Sequence, residues 1–160
     1  MHTENTVYIR GPLAHIYQLA ADIQRWPEIL PHYREVIVLE QTEGGTRKVV
    51  EMAAVRDDFP WTGAKFPVRW RSTQICEPEN RRIYFKHLAG AAVGMWVVWS
   101  LAEDAWGRGV QVTIRHDLTY PLSLLNGWIA QDLIGRQFVG AIAGRTLATI
   151  KTIVEKEGGD

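Results

Sequence analysis

The stretch DIQRWPEILPHY, residues 22–33, separates a helical segment from a long series of strand-like segments. Proline is tolerated in the first turn of a helix but not in its interior. The spacing of Pro27 and Pro31 therefore predicts a short helix over 26–30. Upstream, apolar residues at helical spacing predict another helix that begins near Pro12.

Strand-like segments separated by turn signals follow this stretch, at residues 36–41, 47–56, 68–77, 82–88, 93–102 and 110–118. One further strand-like segment, 7–10, precedes it. Most of the turns between them contain Gly, Pro, Asn or Asp. Parallel strands need long crossover connections, so this regular spacing predicts antiparallel hairpins.

The end of the chain predicts one long helix over 123–157. This segment contains no proline, and one helical face carries Val139, Ala143, Thr146, Leu147, Ile150 and Val154. A helix that lies across an antiparallel sheet is an α+β arrangement. We expect one domain over 1–160, in which a curved sheet of about six to seven strands surrounds the C-terminal helix. Two short helices should follow the first strand.

Strand alternation places polar side chains on the inner face of the predicted sheet. Ser72 and Gln74 alternate with arginines that should face solvent, and His116 shares a face with valine and isoleucine. An unpaired buried polar group costs about 1–3 kcal/mol, which makes a solid core unfavourable here. We therefore predict a mostly apolar cavity with these three polar points. Its predicted walls are Trp70, Met95, Trp99, Val112 and residues of the long helix.

Residues 22–33 resemble the D-x-x-x-W-P-x-x-x-P-x-Y signature of the polyketide cyclase/dehydrase family. That family contains aromatase/cyclases and belongs to the START-like, birch-pollen-allergen-like superfamily with the helix-grip fold. Similar segments are 68–74 (VRWRSTQ), 94–101 (GMWVVWSL) and 113–118 (TIRHDL). The resemblance implies a deep pocket between the sheet and the C-terminal helix. In aromatase/cyclases, such a pocket folds a poly-β-ketone chain, delivered by an acyl carrier protein, for aldol closure and dehydration.

The resemblance also implies which residues face the pocket. The matching positions are Trp26, Tyr33, Trp70, Ser72, Met95 and Trp99. One position departs from the family, because this chain has Gln74 where such cyclases place an arginine. That departure weakens the case for an enolate held by a fixed cation. Coenzyme Q-binding and lipid-transfer proteins share the motif, so carriers remain the alternative.

Tyr33 and His116 are the candidate catalytic residues. A tyrosine hydroxyl can polarise a carbonyl without carrying charge, and an imidazole ordinarily titrates near neutral pH. Structural roles compete with both assignments. Trp26 and Tyr33 could instead fix the short helices to the sheet, and His116 could be a core histidine that bonds a neighbour. His87 is a further candidate ligand-binding residue.

The long helix contains an acid–base pair, Asp132 and Arg136, within its apolar stripe. A kink at Gly135 would turn the pair to solvent. Otherwise Arg136 lies at the pocket mouth as a ligand-binding residue, where it partly replaces the cation missing at Gln74.

The segment 57–67 combines three aromatic residues with two prolines and a glycine. Its aromatic residues are Phe59, Trp61 and Phe66. We expect a mobile loop with exposed aromatic side chains that closes over the pocket or contacts a carrier protein.

Composition bears on the remaining function classes. Eighteen basic residues balance eighteen acidic ones, so no concentrated basic footprint for nucleic acid is expected. One cysteine allows no internal disulfide, and neither a signal peptide nor a transmembrane run is evident, so we expect a cytoplasmic protein. No motif typical of a metal site or a nucleotide cofactor is present.

Three functions remain open at this point. The first is a cyclase or aromatase that acts on a carrier-bound poly-β-ketone. The second is a non-catalytic carrier of a lipid, a quinone or another hydrophobic molecule. The third is a protein-interaction module that uses the aromatic loop.

Overall fold

The computed structural model describes residues 1–56, 66–119 and 128–159, with side chains over 1–55, 67–119 and 139–159. The elements in chain order are β1 (His2–Arg10), α1 (Leu13–Ala21), a 3₁₀ turn (Ile23–Arg25), α2 (Trp26–Ile29), β2 (Tyr33–Gln41), β3 (Arg47–Arg56), β4 (Phe66–Glu77), β5 (Arg82–Gly90), β6 (Trp96–Glu103), β7 (Gly109–Asp117) and α3 (Trp128–Glu157).

The strands form one antiparallel sheet of seven, in the order β1-β7-β6-β5-β4-β3-β2. Consecutive strands from β2 to β7 are neighbours, as the predicted hairpins require. β1 is longer than the predicted 7–10, because it pairs with β7 along its whole length, from His2 opposite Asp117 to Arg10 opposite Gly109. Backbone pairing extends this edge strand through residues whose side chains are polar. The predicted α+β arrangement of the helix-grip fold is confirmed.

The helix α3 packs against β1 and α1. The stripe predicted for this helix is buried, and Leu147, Ile150 and Val154 are each at most 2% exposed. Each such side chain contributes about 1.5–3 kcal/mol by leaving water. The start predicted at residue 123 lies outside the described residues. No helix within the three described ranges is long and apolar enough to span a membrane.

Two hydrogen bonds hold the end of α1, one from α2 and one from the sheet. The indole Nε1 of Trp26 donates to the carbonyl oxygen of Leu19 at 3.0 Å. The amide Nε2 of Gln74 in β4 donates to the carbonyl oxygen of Ala21 at 2.9 Å. Both acceptors lie in the last turn of α1, whose final carbonyls have no partner within the helix. These bonds fix the entry of the chain into α2 and β2.

Two of the shifts in strand register lie beside predicted site residues. The register shifts between Tyr33 and Glu35 in β2. A second shift leaves Leu88 unpaired, because Ala89 pairs with Arg71 and His87 pairs with Ser72. A bulge of this kind adds one residue to one strand and changes the side-chain alternation. Ordinary alternation with Ile83 and Phe85 buries His87, and the bulge that follows leaves both Leu88 and Ala89 exposed.

Gly90 ends β5 at a point where two strands approach closely. Its φ is +81°, and a Cβ at this position would lie 2.4 Å from the carbonyl oxygen of Arg69. The same oxygen accepts the backbone N–H of Ala91 at 3.1 Å. The connection from β5 to β6 therefore requires glycine here for both conformation and space.

We expect Gly90→Ala to lower the free energy of unfolding by about 3 kcal/mol, because strain at positive φ adds to a backbone collision. Gly44 is the matched control, since its φ is +83° but nothing lies within 4 Å of a Cβ there. Gly44→Ala should cost about 1 kcal/mol. Urea unfolding followed by tryptophan fluorescence measures both losses. Equal losses would contradict the close approach at Gly90.

Candidate functional site

A cavity of about 80 Å³ lies between the inner face of the sheet and α3. Its aromatic walls are Trp26, Tyr33, Trp70, Phe85 and Trp99, and its polar lining residues are His87, His116 and Thr146. Met95 and Val139 are among the apolar residues that complete it. Seven of the ten predicted site residues therefore line this cavity. Val112, which was predicted as part of the wall, is buried but does not line it.

The aromatic side chains pack around Trp26. Its ring centroid lies 4.8 Å from that of Tyr33, 5.9 Å from that of Trp99 and 6.2 Å from that of Phe85. Tilted aromatic contacts of this kind contribute about 0.5–1.5 kcal/mol each beyond area burial. Trp26 thus fixes the short helices to the sheet and also forms part of the cavity wall, so the two roles weighed for it coexist.

Tyr33 begins β2 and presents its hydroxyl inside the protein. The side chain is 7% exposed and hydrogen-bonded to Thr146 of α3. Burial raises the pKa of this hydroxyl well above its ordinary value, against a smaller opposing effect of Thr146. At neutral pH, Tyr33 keeps its proton and can act as a neutral hydrogen-bond donor.

His116 is buried on the inner face of β7, as alternation predicts. The pKa of its imidazole is lowered to about 4, mainly by burial and to a smaller extent by the neighbouring His87, while Asp117 acts in the opposite direction. The expectation that this histidine titrates near neutral pH is therefore wrong, because an imidazolium loses its hydration inside the protein. At neutral pH His116 is uncharged. Its Nδ1 lies 3.4 Å from the hydroxyl oxygen of Thr3.

His87 is the second histidine in the cavity wall. Its Nδ1 lies 3.0 Å from the carbonyl oxygen of Ala91, and since a carbonyl only accepts, Nδ1 carries the hydrogen. The ring stacks on Trp70 with centroids 5.7 Å apart and planes inclined by 6°. Burial lowers the pKa of this imidazole as well, with a further lowering from Lys86. In the neutral ring, Nε2 is then a hydrogen-bond acceptor.

Ser72 and Gln74 are buried as predicted, but neither lines the cavity. Gln74 lies under the end of α1, where its amide bonds Ala21, so it belongs to the packing of that helix. The Ser72 hydroxyl and the Gln74 Oε1 have no hydrogen-bond partner among the described residues. Their prediction as polar points of the cavity is corrected, because alternation identifies the inner face but not the element that covers each position.

Several predicted features fall on parts of the chain that the structure does not describe. The side chains of Asp132 and Arg136 in α3 lie outside the described residues. So does the segment 57–65, which includes two of the three loop aromatics. Among described residues, Trp106 in the turn between β6 and β7 is 80% exposed.

The predictions missed two polar residues at this site. His32 is 3% exposed, and its Nε2 lies 2.9 Å from the hydroxyl oxygen of Thr146. One signal was available for Thr146, which is a polar residue within the apolar stripe of α3. For His32, the position next to Tyr33 in the motif was the only indication. In the ranges that the structure describes, no three His, Cys, Asp or Glu side chains are grouped to hold a metal ion.

The buried His116 should make the protein less stable in acid. The imidazole binds a proton in the unfolded chain below pH 6.5 but in the folded protein only near pH 4. Stability present above pH 6.5 is therefore lost as the pH falls toward 4, by about 3 kcal/mol. The free energy of unfolding is measured in urea at pH 7 and at pH 4.5, and we expect His116→Gln to remove most of the difference between the two values. His15→Gln, at a half-exposed position of α1, is the control and should keep the loss. An unchanged pH dependence in His116→Gln would contradict the assignment.

Comparison with known proteins identifies relatives of this chain. The family model described as polyketide cyclase/dehydrase and lipid transport matches residues 9–139. The granaticin polyketide synthase bifunctional cyclase/dehydratase of Streptomyces violaceoruber is 28% identical over 119 residues. That match covers 73% of this chain, and the chain spans only 34% of the length of this curated relative.

Solved structures with the same fold include an aromatase/cyclase and a START superfamily protein. The Zhui aromatase/cyclase from a Streptomyces species superimposes with a TM-score of 0.70 at 23% identity, over 98% of this chain and 92% of that one. A START superfamily protein from Mycobacterium smegmatis superimposes with a TM-score of 0.67 at 13% identity, over 97% of each chain. These likenesses show the fold. Because the family model spans most of its length, the chain belongs to the polyketide cyclase/dehydrase and lipid transport family.

Proposed function

We propose that this chain binds an apolar, carbonyl-bearing molecule of polyketide type in the cavity and catalyses its aldol cyclisation and dehydration. The observation that carries this proposal is the pairing of a protonated Tyr33 with a neutral His116 in the wall of one aromatic cavity. Family membership and the granaticin cyclase/dehydratase relative support it.

The aromatic walls supply the binding step. Trp26, Trp70 and Trp99 offer flat apolar surface that a conjugated chain covers, and each methylene group removed from water contributes about 0.8 kcal/mol. The polar groups among the described lining residues are neutral at neutral pH, which favours an uncharged ligand.

The chemistry needs a base and a donor. The unprotonated nitrogen of His116 takes a proton from a carbon between two ketones, and Tyr33 donates a hydrogen bond to the oxygen that becomes the enolate. The enolate carbon then attacks a second ketone of the same chain, forming one carbon–carbon bond. This bond closes the ring, and the resulting alkoxide takes the proton from the His116 imidazolium. Loss of the new hydroxyl together with a hydrogen of the adjacent carbon then releases water and leaves a carbon–carbon double bond. Gln74, whose amide donates to the Ala21 carbonyl, has no role in these reaction steps.

The substrate source and partner follow from the same proposal. A poly-β-ketone is reactive in water, so a carrier would deliver it directly to the cavity. We infer an acyl carrier protein as that partner, supported by the polyketide synthase to which the granaticin relative belongs.

A second function is favoured by one specific observation. A conjugate acid with a pKa of about 4 makes His116 a weak base, and proton transfer is most efficient when the pKa lies near the working pH. A cavity with such a histidine suits a carrier that binds a lipid or a quinone without reacting with it. The two functions share the binding step and differ in turnover.

A measurement of turnover distinguishes the cyclase function from the carrier function. We expect Tyr33→Phe and His116→Ala each to lower cyclisation of a linear four-acetate poly-β-ketone, supplied as its N-acetylcysteamine thioester, by about 10²-fold or more. Product formation above the spontaneous rate is followed by chromatography. Binding of tetralin, which has no hydrogen-bonding group, should persist in both variants because the aromatic walls remain.

Matched controls are Tyr84→Phe and His15→Gln, at half-exposed positions that do not line the cavity. Circular dichroism confirms folding of each variant. Equal turnover in wild type and in the two cavity variants would remove Tyr33 and His116 from the mechanism. If wild type and all variants bind tetralin tightly but none turns over the thioester, the carrier function is established instead.

A further inference from the structure

Tyr33 is held through Thr146 by a second buried side chain, that of His32. The imidazole of His32 is 3% exposed, and its ring centroid lies 4.9 Å from that of Tyr33. Its Nε2 lies 2.9 Å from the hydroxyl oxygen of Thr146, which is itself 1% exposed and lines the cavity. Three polar side chains from two segments distant in sequence therefore meet at one wall.

The hydrogen on His32 can be assigned from its partner. The Thr146 hydroxyl donates to the carbonyl oxygen of Ile142, one turn earlier in α3, at 2.8 Å. A hydroxyl has one hydrogen, and while Thr146 donates it to another acceptor its oxygen can only accept at the contact with His32. His32 consequently carries a hydrogen on Nε2 and donates it.

The Tyr33 oxygen is a second possible acceptor for the Thr146 hydroxyl, and the interaction with Thr146 acts to lower the Tyr33 pKa, as a donor to the phenol oxygen would. The Ile142 carbonyl lies within α3, where it accepts the backbone N–H four residues later, so the threonine hydrogen can leave it at low cost. When that hydrogen turns to the Tyr33 oxygen, every donor points the same way, from His32 through Thr146 and Tyr33 to the cavity. Chained hydrogen bonds polarise one another in a low-dielectric interior.

We propose that His32 and Thr146 are positioning residues that orient the Tyr33 hydroxyl as a hydrogen-bond donor into the cavity, so that the cavity selects ligands with a carbonyl oxygen at that wall. This inference rests on the proposed function, since it assumes that a ligand occupies the cavity. A ligand without an acceptor leaves the Tyr33 donor buried and unpaired, and this penalty is the source of selection.

Two probes of nearly equal shape test the selection. α-Tetralone carries one carbonyl oxygen, and tetralin carries none. Wild-type protein should bind α-tetralone about 2- to 10-fold more tightly than tetralin, the range expected for one net hydrogen bond. Tyr33→Phe should bring this affinity ratio close to one, because it removes the donor itself.

Matched substitutions then isolate the two positioning residues. Thr146→Val keeps the shape but removes the hydroxyl, and it should lower the ratio toward one, whereas Thr146→Ser keeps the hydroxyl and should preserve the ratio. His32→Phe removes the ring donor, whereas His32→Gln places an amide nitrogen near the Nε2 position and should restore part of the ratio. Circular dichroism and urea unfolding verify that each variant folds. Identical ratios in the valine and serine variants, or in the phenylalanine and glutamine variants, would overturn the proposal.

An independent measurement separates this inference from the proposed function. In ¹⁵N-labelled protein, the His32 side chain should show a slowly exchanging hydrogen on Nε2 in wild type, and Thr146→Val should accelerate its exchange. Absence of that hydrogen in wild type would overturn the positioning role whatever the probes show. Failure of wild type to bind either probe would instead overturn the proposed ligand cavity, and with it the selection.

Discussion

The indole of Trp26 connects the parts of the structure on which the cavity depends. Its N–H bonds the last turn of α1, and its ring packs against side chains of three different strands. Each contact contributes only about a kilocalorie per mole, but together they determine where the chain enters β2. Tyr33 follows at the start of that strand, so the position of its hydroxyl depends on the packing of Trp26.

Burial has one common effect on the titratable groups of the cavity wall. It raises the pKa of Tyr33 and lowers the pKa of His87 and His116, and in each case loss of hydration is the largest cause. All three groups are therefore neutral at neutral pH, since a buried charge without a partner is unfavourable. The same low dielectric strengthens the hydrogen bonds of His32, Thr146 and Tyr33, which join the wall to α3.

The fold was largely predictable because its signals are local. Turn residues marked most of the hairpins, the two prolines marked α2, and an apolar stripe marked α3. Boundaries were less accurate where backbone pairing, rather than side-chain pattern, decides an element. β1 extends to His2 because β7 lies beside it, and β6 begins only at Trp96 because the preceding residues turn at Gly94 with a φ of +88°.

The sequence by itself determined the order of the elements and the faces of the strands, which is why Ser72, Gln74 and His116 are all buried. Only the tertiary structure decided which of these side chains meet the cavity. Gln74 lies beneath α1 and donates to its backbone. His116 instead faces the cavity near His87, and its pKa is lowered there. The contact between His32 and Thr146 spans 114 positions of the chain. Alternation and motif spacing report only local geometry, and such long-range neighbours are fixed by how α3 packs on the sheet.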